Sequence, residues 1–269
     1  MAIMNLLVAF NGTESSEAAL RYAASLARDR KAHVTAMLAH STHDTLDTTS
    51  RWIPREARAL LAEAKTGLLT EIEARLDVLR ADLHLGDALS FRAVPGRVDS
   101  LLSETGRAFD MIIAGRPMRD DDEHIRLHPD KIALLSGRPV IVVPEGYDAE
   151  ARHSHTALAW DGGRAAARAL SDSLRLLEAQ GKVSVLTVGQ VPGMEDLLTH
   201  LSRHDVTAIH EEWPDGHPVA DRVLGYCRRH DPSLLVMGAY EHSKFREDLV
   251  GGVTASVLRE TTIPVLLSH

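Results

Sequence analysis

An internal repeat restricts the fold of this chain before any other property does, because self-similarity means one supersecondary unit used twice. Near the start, Leu6-Leu7-Val8-Ala9-Phe10 meets the turn Asn11-Gly12-Thr13 and then a helical pattern of Ala18, Ala19, Tyr22, Ala23 and Leu26. Far downstream, Ala157-Leu158-Ala159-Trp160 meets Asp161-Gly162-Gly163 and then Ala166, Ala169, Leu170, Leu174 and Leu177. Both read as strand, tight turn and amphipathic helix. A further apolar strand follows each, His33 to Leu38 and Val183 to Val188. The ends of the copies correspond as well. Asp110-Met111-Ile112-Ile113-Ala114-Gly115 parallels Ser233-Leu234-Leu235-Val236-Met237-Gly238, and the Pro139–Val143 run parallels the Pro264–Leu267 run.

From turn to strand-end glycine the first copy is 27 residues longer, 11 to 115 against 161 to 238. The surplus is expected in the polar stretch 41–54 and in a longer second helix over 55–79, rich in the strong helix formers Ala, Glu, Arg and Leu. Strands alternating with helices imply right-handed crossovers and a parallel sheet covered on both faces. The expected architecture is two tandem five-stranded parallel-sheet α/β sandwiches, residues 1–147 and 153–269, with a polar boundary over 145–155.

Aromatic residues are only 4% of the chain, so its core must be built from Ala, Val, Leu and Ile. A formal net charge of −8 argues against broad nucleic-acid binding, which needs a basic face to displace counterions. Cys227 is the single cysteine, which rules out an intramolecular disulfide and suits a reducing compartment. The first ten residues have no basic leader and read as a buried strand, not a signal peptide. No apolar run approaches the roughly 18 residues of a membrane span. A cytoplasmic protein is expected.

In open α/β sheets, ligands sit outside the carboxyl ends of the strands, near the point where strand order reverses. Two such ends in the second copy carry glycines: Asp161-Gly162-Gly163, and Gly238-Ala239-Tyr240-Glu241 with Gly251-Gly252-Val253-Thr254 beyond it. A strand-end glycine lets a ligand approach the backbone. A glycine pair opening a helix presents N–H groups and the positive dipole end to a phosphate.

The stretch from Leu234 to His269 resembles the universal stress protein family. That family's signature is a glycine, two residues, a second glycine, nine residues, then glycine followed by Ser or Thr. The resemblance extends over both copies, and so implies a tandem member with a Rossmann-like fold similar to the adenine nucleotide alpha hydrolases. It implies a stress-associated protein; many members bind ATP or AMP with weak or no hydrolysis, and others bind no nucleotide. Carried over by position, Ala159, Asp161 and Val188 would lie by the adenosine, and Met237 and Gly238 behind the ribose. Gly251, Gly252, Val253 and Thr254 would face the phosphates, with Mg accompanying ATP. Single-domain members commonly pair through their last strands. An internal pseudo-dimer through Val140–Val143 and the strand at 265–267 is therefore expected, with Pro139 and Pro264 suited to strand starts.

Two departures matter. Glu241 stands at the second signature glycine, and Gly252 stands where Ser or Thr is usual. The first puts a carboxylate near a polyanion, and the second deletes a hydroxyl while keeping the N–H. Lys244, Arg246 and His242 offset part of the repulsion, so AMP or adenosine should suffer less than ATP. The first copy departs further. Asn11 replaces the acid, and after Gly115 the chain runs into Asp120-Asp121-Asp122-Glu123 with no glycine pair before the helix near Lys131. No nucleotide is expected there.

The other candidates read more simply as structure. His200 and His204, and likewise His124 and His128, have i, i+4 spacing, but a metal site needs three or four convergent ligands. They and the linker residues His153 and His155 are expected on polar surfaces. Cys227 reads as a small buried residue. Ser243 beside His242 has no third orienting group. Asp161 is expected to accept a hydrogen bond from a ligand or cap the helix from Arg164. The turns at 94–97 and 213–217 set chain direction. No metal and no catalytic set are expected. Three classes stay open: a non-enzymatic sensor whose output is a protein partner, a nucleotide-hydrolysing enzyme on the same sheet, and a tandem holding a non-nucleotide ligand.

Overall fold

Both copies alternate strand and helix as the repeat requires. The structure is a computed structural model that describes residues 3–40, 54–118, 125–148, 153–177, 181–216, 218–239 and 252–269. The first copy runs β1 (Asn5–Ala9), α1 (Glu14–Arg30), β2 (His33–His40), α2 (Arg55–Leu83), β3 (Leu89–Pro95), α3 (Val98–Gly106), β4 (Met111–Gly115), α4 (Pro129–Ser136) and β5 (Val140–Val143). The second runs β6 (His155–Ala159), α5 (Arg164–Ser173), β7 (Lys182–Val188), α6 (Met194–Arg203), β8 (Thr207–Trp213), α7 (Val219–His230), β9 (Leu234–Gly238), α8 (Val253–Glu260) and β10 (Val265–Ser268).

Within each copy every strand pairing is parallel. The two sandwiches do not keep separate sheets. They share one ten-stranded sheet, ordered β3-β2-β1-β4-β5-β10-β9-β6-β7-β8. At the seam β5 and β10 pair antiparallel, Val142 opposite Val265 and Val140 opposite Leu267. This is the expected pseudo-dimer. Pro139 and Pro264 precede the two seam strands, so neither removes a donor from the seam ladder.

Each face of the sheet carries one apolar layer that runs across the seam. Ile141 and Leu266 lie in the layer under α1, α2, α5 and α6, while Val140, Val142, Val265 and Leu267 lie in the layer under α3, α4, α7 and α8. Small side chains make this possible: α1 buries Ala18, Ala19, Ala23, Ala24 and Ala27, which bring its axis close to the strands. Thr13 caps α1 by accepting from Ser16 N, and Glu14 and Glu17 complement the positive end of the dipole. Helix α2 runs to Leu83, beyond the expected 79, because Ile72, Leu76, Leu79 and Leu83 keep one buried stripe until His84 takes a left-handed conformation.

The strand-end glycines have a packing reason for their presence besides the expected one. A Cβ on Gly238 would sit 2.7 Å from the backbone of Ala165 and Ala166, and one on Gly115 would meet the backbone of Ser15 and Ser16. In both copies the glycine therefore admits the first turn of α5 or α1 onto the sheet. The demand comes from packing, and a ligand is not needed to explain it.

The boundary histidines also differ from expectation. His155 opens β6 and is partly buried, with Nε2 3.0 Å from Ser184 Oγ. His153 is only 1% exposed, and its Nε2 shares a 2.8 Å hydrogen bond with the Tyr22 hydroxyl of α1. Burial pushes its pKa down to about 4, and the nearby Arg30 guanidinium adds to that. The polar linker thus hides a buried contact that ties it to the first copy.

Candidate functional site

In the second copy the chain goes from β6 outward to β7 and β8, then returns to the other side for β9 and β10. The crevice of an open α/β sheet falls at this reversal, between the carboxyl ends of β6 and β9. Ala159 ends β6, Val188 ends β7, and Met237 and Gly238 end β9. Leu158 pairs with Val236, so Ala159 and Met237 lie side by side one residue further on. Met237 is buried in the apolar layer, whereas Ala159, Val188 and Gly238 are partly exposed.

Two helices start at this edge. Helix α5 begins after Gly163, and α8 begins after Gly252, whose backbone is extended. Both N-cap residues are glycines with no side chain to cap, and neither first turn carries an acidic residue. Among the described residues no side-chain cap or first-turn acid covers the start of α8, so its dipole end can receive an anion in a way that α1, capped by Thr13 and led by Glu14, cannot. Val253 is exposed and Thr254 is buried. Among the described residues, nothing lies within 4 Å of where a Cβ on Gly252 would sit. The expected phosphate contacts at Gly251, and the residues Glu241, His242, Ser243, Lys244 and Arg246, lie outside the described residues.

Asp161 is exposed, and its Oδ1 accepts from Gly163 N at 2.9 Å. Gly163 is itself the residue before α5, so this bond tightens the turn at the helix start. The carboxylate stays at the mouth of the crevice.

The equivalent edge of the first copy is filled by its own chain. Ile72 of α2 lies against Gly12, and Arg75 Nη1 donates to Gly12 O at 2.8 Å while its Nε pairs with Glu17 at 3.3 Å. Asn11 is buried; its Oδ1 accepts from Thr13 and its Nδ2 donates to Ile125 O at 3.3 Å. Ile125 and Leu127 are buried after β4. The remaining cleft between Asn11, Ser15, Gly115 and Leu127 leaves no space that a water molecule could enter.

The other sequence candidates fall elsewhere. The His200 and His204 rings meet edge to face at 4.7 Å, and no cluster of three metal-ligating side chains occurs among the described residues. Asp99 holds His128 through both its backbone N–H and its Nδ1, and His124 lies outside the described residues. Cys227 is buried, and desolvation pushes its thiol pKa up to about 12, far from a reactive thiolate. Among the described residues no helix is long and apolar enough to cross a membrane. Two contacts escaped the sequence reading. Arg116 Nη1 reaches across the seam to Thr261 O at 2.8 Å, and Trp213 stands at the end of β8 in register with Val188. Scarcity of aromatics was the available signal for Trp213.

Comparison with known proteins agrees with this geometry. The model of the universal stress protein family matches residues 2–144 and 214–269. Universal stress protein Slr1230 of Synechocystis is 26% identical over 168 residues, 59% of this chain and 57% of that protein, so the match spans little more than half of that relative's length. A universal stress protein from Archaeoglobus fulgidus superposes with a TM-score of 0.71 at 13% identity, covering 98% of this chain and 95% of its own. The functionally unknown protein PA1789 of Pseudomonas aeruginosa superposes with a TM-score of 0.57 at 13% identity, covering 99% and 92%. The chain belongs to the universal stress protein family, with two segments of that family in tandem.

Proposed function

We propose that this chain is a non-enzymatic stress-response module that takes an adenine nucleotide, AMP more readily than ATP, in the crevice of its second copy. The observation that carries the reading is the contrast between the two strand edges. One is packed with Ile72, Ile125 and Leu127, and the other is bordered by two helix starts that open on glycine and carry no acidic residue in their first turn. Such starts fit an anionic group, and the partly exposed Ala159 and Val188 fit the apolar body of a nucleoside. Asp161 fits a hydroxyl or amino donor of the ligand. Glu241 disfavours the more highly charged triphosphate, with or without Mg. The output is then an interaction with a protein partner, and the single cysteine suits action in the cytoplasm.

Calorimetry of the full chain with AMP, with ATP, and with ATP plus Mg²⁺ tests the reading, together with mass spectrometry of small molecules released on denaturation. AMP binding that exceeds ATP binding, without ATP turnover, is the expected result. Saturable turnover of ATP would overturn the non-enzymatic part. Neither nucleotide binding, or release of an unrelated ligand, would overturn the whole.

A further inference from the structure

Strand ends line up along the carboxyl edge of the second copy: Trp213 on β8, Val188 on β7, Ala159 on β6 and Met237 on β9. Ala159, Trp213 and Met237 pack against one apolar layer, and Val188 lies two residues beyond Leu186 of that layer, hence on the same face. Trp213 is the register partner of Val188. Gly189 N donates to Trp213 O at 2.8 Å, and Gly189 takes a left-handed conformation, so the backbone leaves the sheet just after Val188.

The indole is partly exposed and braced from within. Tyr226 meets it edge to face with centroids 6.2 Å apart, and His230 stacks on Tyr226 at 4.3 Å. A supported aromatic face at the mouth of a crevice is a stacking platform, since every nucleobase presents a π-face. The first copy supplies an internal comparison. Phe10 and Trp160 make the same backbone bond, to Met37 and Leu186 respectively, which sets Ala39 equivalent to Val188. Val94, the register partner of Ala39, is then the counterpart of Trp213. The aromatic residue is present at the open edge and replaced by an aliphatic one at the filled edge.

We infer that Trp213 is a specificity-determining residue of the second-copy crevice, forming the wall on which a purine or similar planar heteroaromatic ring stacks. The inference rests on the proposed nucleotide reading and adds to it the means by which the base is selected over the bare sugar phosphate.

The test compares AMP with ribose 5-phosphate by calorimetry on the full chain and on two variants. Trp213→Leu keeps an apolar side chain against Tyr226 but removes the π-face; Trp213→Phe restores a smaller π-face. Trp213→Leu is expected to weaken AMP binding about tenfold and leave ribose 5-phosphate unchanged, with Trp213→Phe recovering most of the loss. Equal AMP binding by the wild-type chain and Trp213→Leu overturns the inference while leaving the nucleotide reading intact. An equal loss for both ligands overturns it too, because that pattern reports a structural role. Absence of AMP binding to the wild-type chain overturns the nucleotide reading itself and the inference with it.

Discussion

Tyr22 and His153, on α1 and in the linker, share a 2.8 Å hydrogen bond in the buried seam between the two copies. His153 Nδ1 has no hydrogen-bond partner among the described residues, and Tyr147 packs on the same tyrosine with ring centroids 6.2 Å apart. With Nε2 as acceptor, the arrangement requires neutral imidazole, which agrees with a pKa lowered to about 4 by burial first and Arg30 second.

That depression gives a signed pH dependence. Over the window between about 4 and the ordinary 6.5, the unfolded chain binds the proton that the folded chain refuses, so stability falls as pH falls. Above the ordinary value the contribution is complete, and below about 4 it is lost. The full difference is about 3 kcal/mol at 1.36 kcal/mol per pKa unit. Urea unfolding at a series of pH values should show the slope, and His153→Gln should flatten it. A His153→Gln slope equal to that of the wild type would refute the assignment. Tyr22→Phe leaves a buried acceptor unpaired and should cost about 1–3 kcal/mol at neutral pH.

Two glycines near the crevice should respond differently to substitution. Gly238→Ala drives a Cβ to 2.7 Å from the α5 backbone, which cannot swing aside, so a loss of about 1–3 kcal/mol or more is expected in thermal unfolding. Gly252→Ser meets no atom of the described residues within 4 Å and keeps an extended backbone conformation, so stability should hold. The added hydroxyl restores the usual family donor and can also cap α8. Stronger ATP binding by Gly252→Ser is expected in calorimetry, and weaker binding would mean that the serine satisfies the helix in place of the ligand.

The strands were legible because each is a short apolar run stopped by glycine or a turn, as in Ile112 to Gly115 and Val236 to Gly238. Pairing of Val140–Val143 with β10 followed from the repeat and the family resemblance together. Asp161 and Gly252 could be placed because they sit next to recognisable glycine turns. Other features depend on partners remote in sequence. His153 has polar neighbours, and only Tyr22, 131 positions away, buries it. Trp213 acquires meaning from its register with Val188, which no local pattern encodes. The packing role of Gly238 was not legible because the approach of Ala165 is a tertiary fact.

The plug in the first copy is a packing feature, and its removal should not create a binding site. Ile72→Ala empties a buried position against Gly12 and is expected to cost about 2–5 kcal/mol in urea unfolding. Asn11 would still be held by Ile125 O, and Arg75 by Gly12 O. The variant should therefore show the same nucleotide stoichiometry as the wild-type chain. A second equivalent of bound AMP would show that α2 alone keeps the first edge closed.

The sharpest test of the charge argument concerns Glu241, which stands at the second signature glycine and lies outside the described residues. Two unit charges about 4 Å apart at an effective dielectric near 20 interact by about 4 kcal/mol, and less when the side chain turns to solvent. Glu241→Gln removes the charge and keeps the bulk, whereas Glu241→Gly removes both. If charge dominates, both variants should bind ATP more tightly than the wild type by about tenfold or more, with AMP gaining less because it carries fewer charges. Raising the salt concentration should shrink the difference between wild type and Glu241→Gln, since exposed charges are screened. If only Glu241→Gly gains affinity, with no salt dependence, the obstacle is the side-chain volume near the backbone. Calorimetric titrations of the three proteins at two salt concentrations separate the two causes.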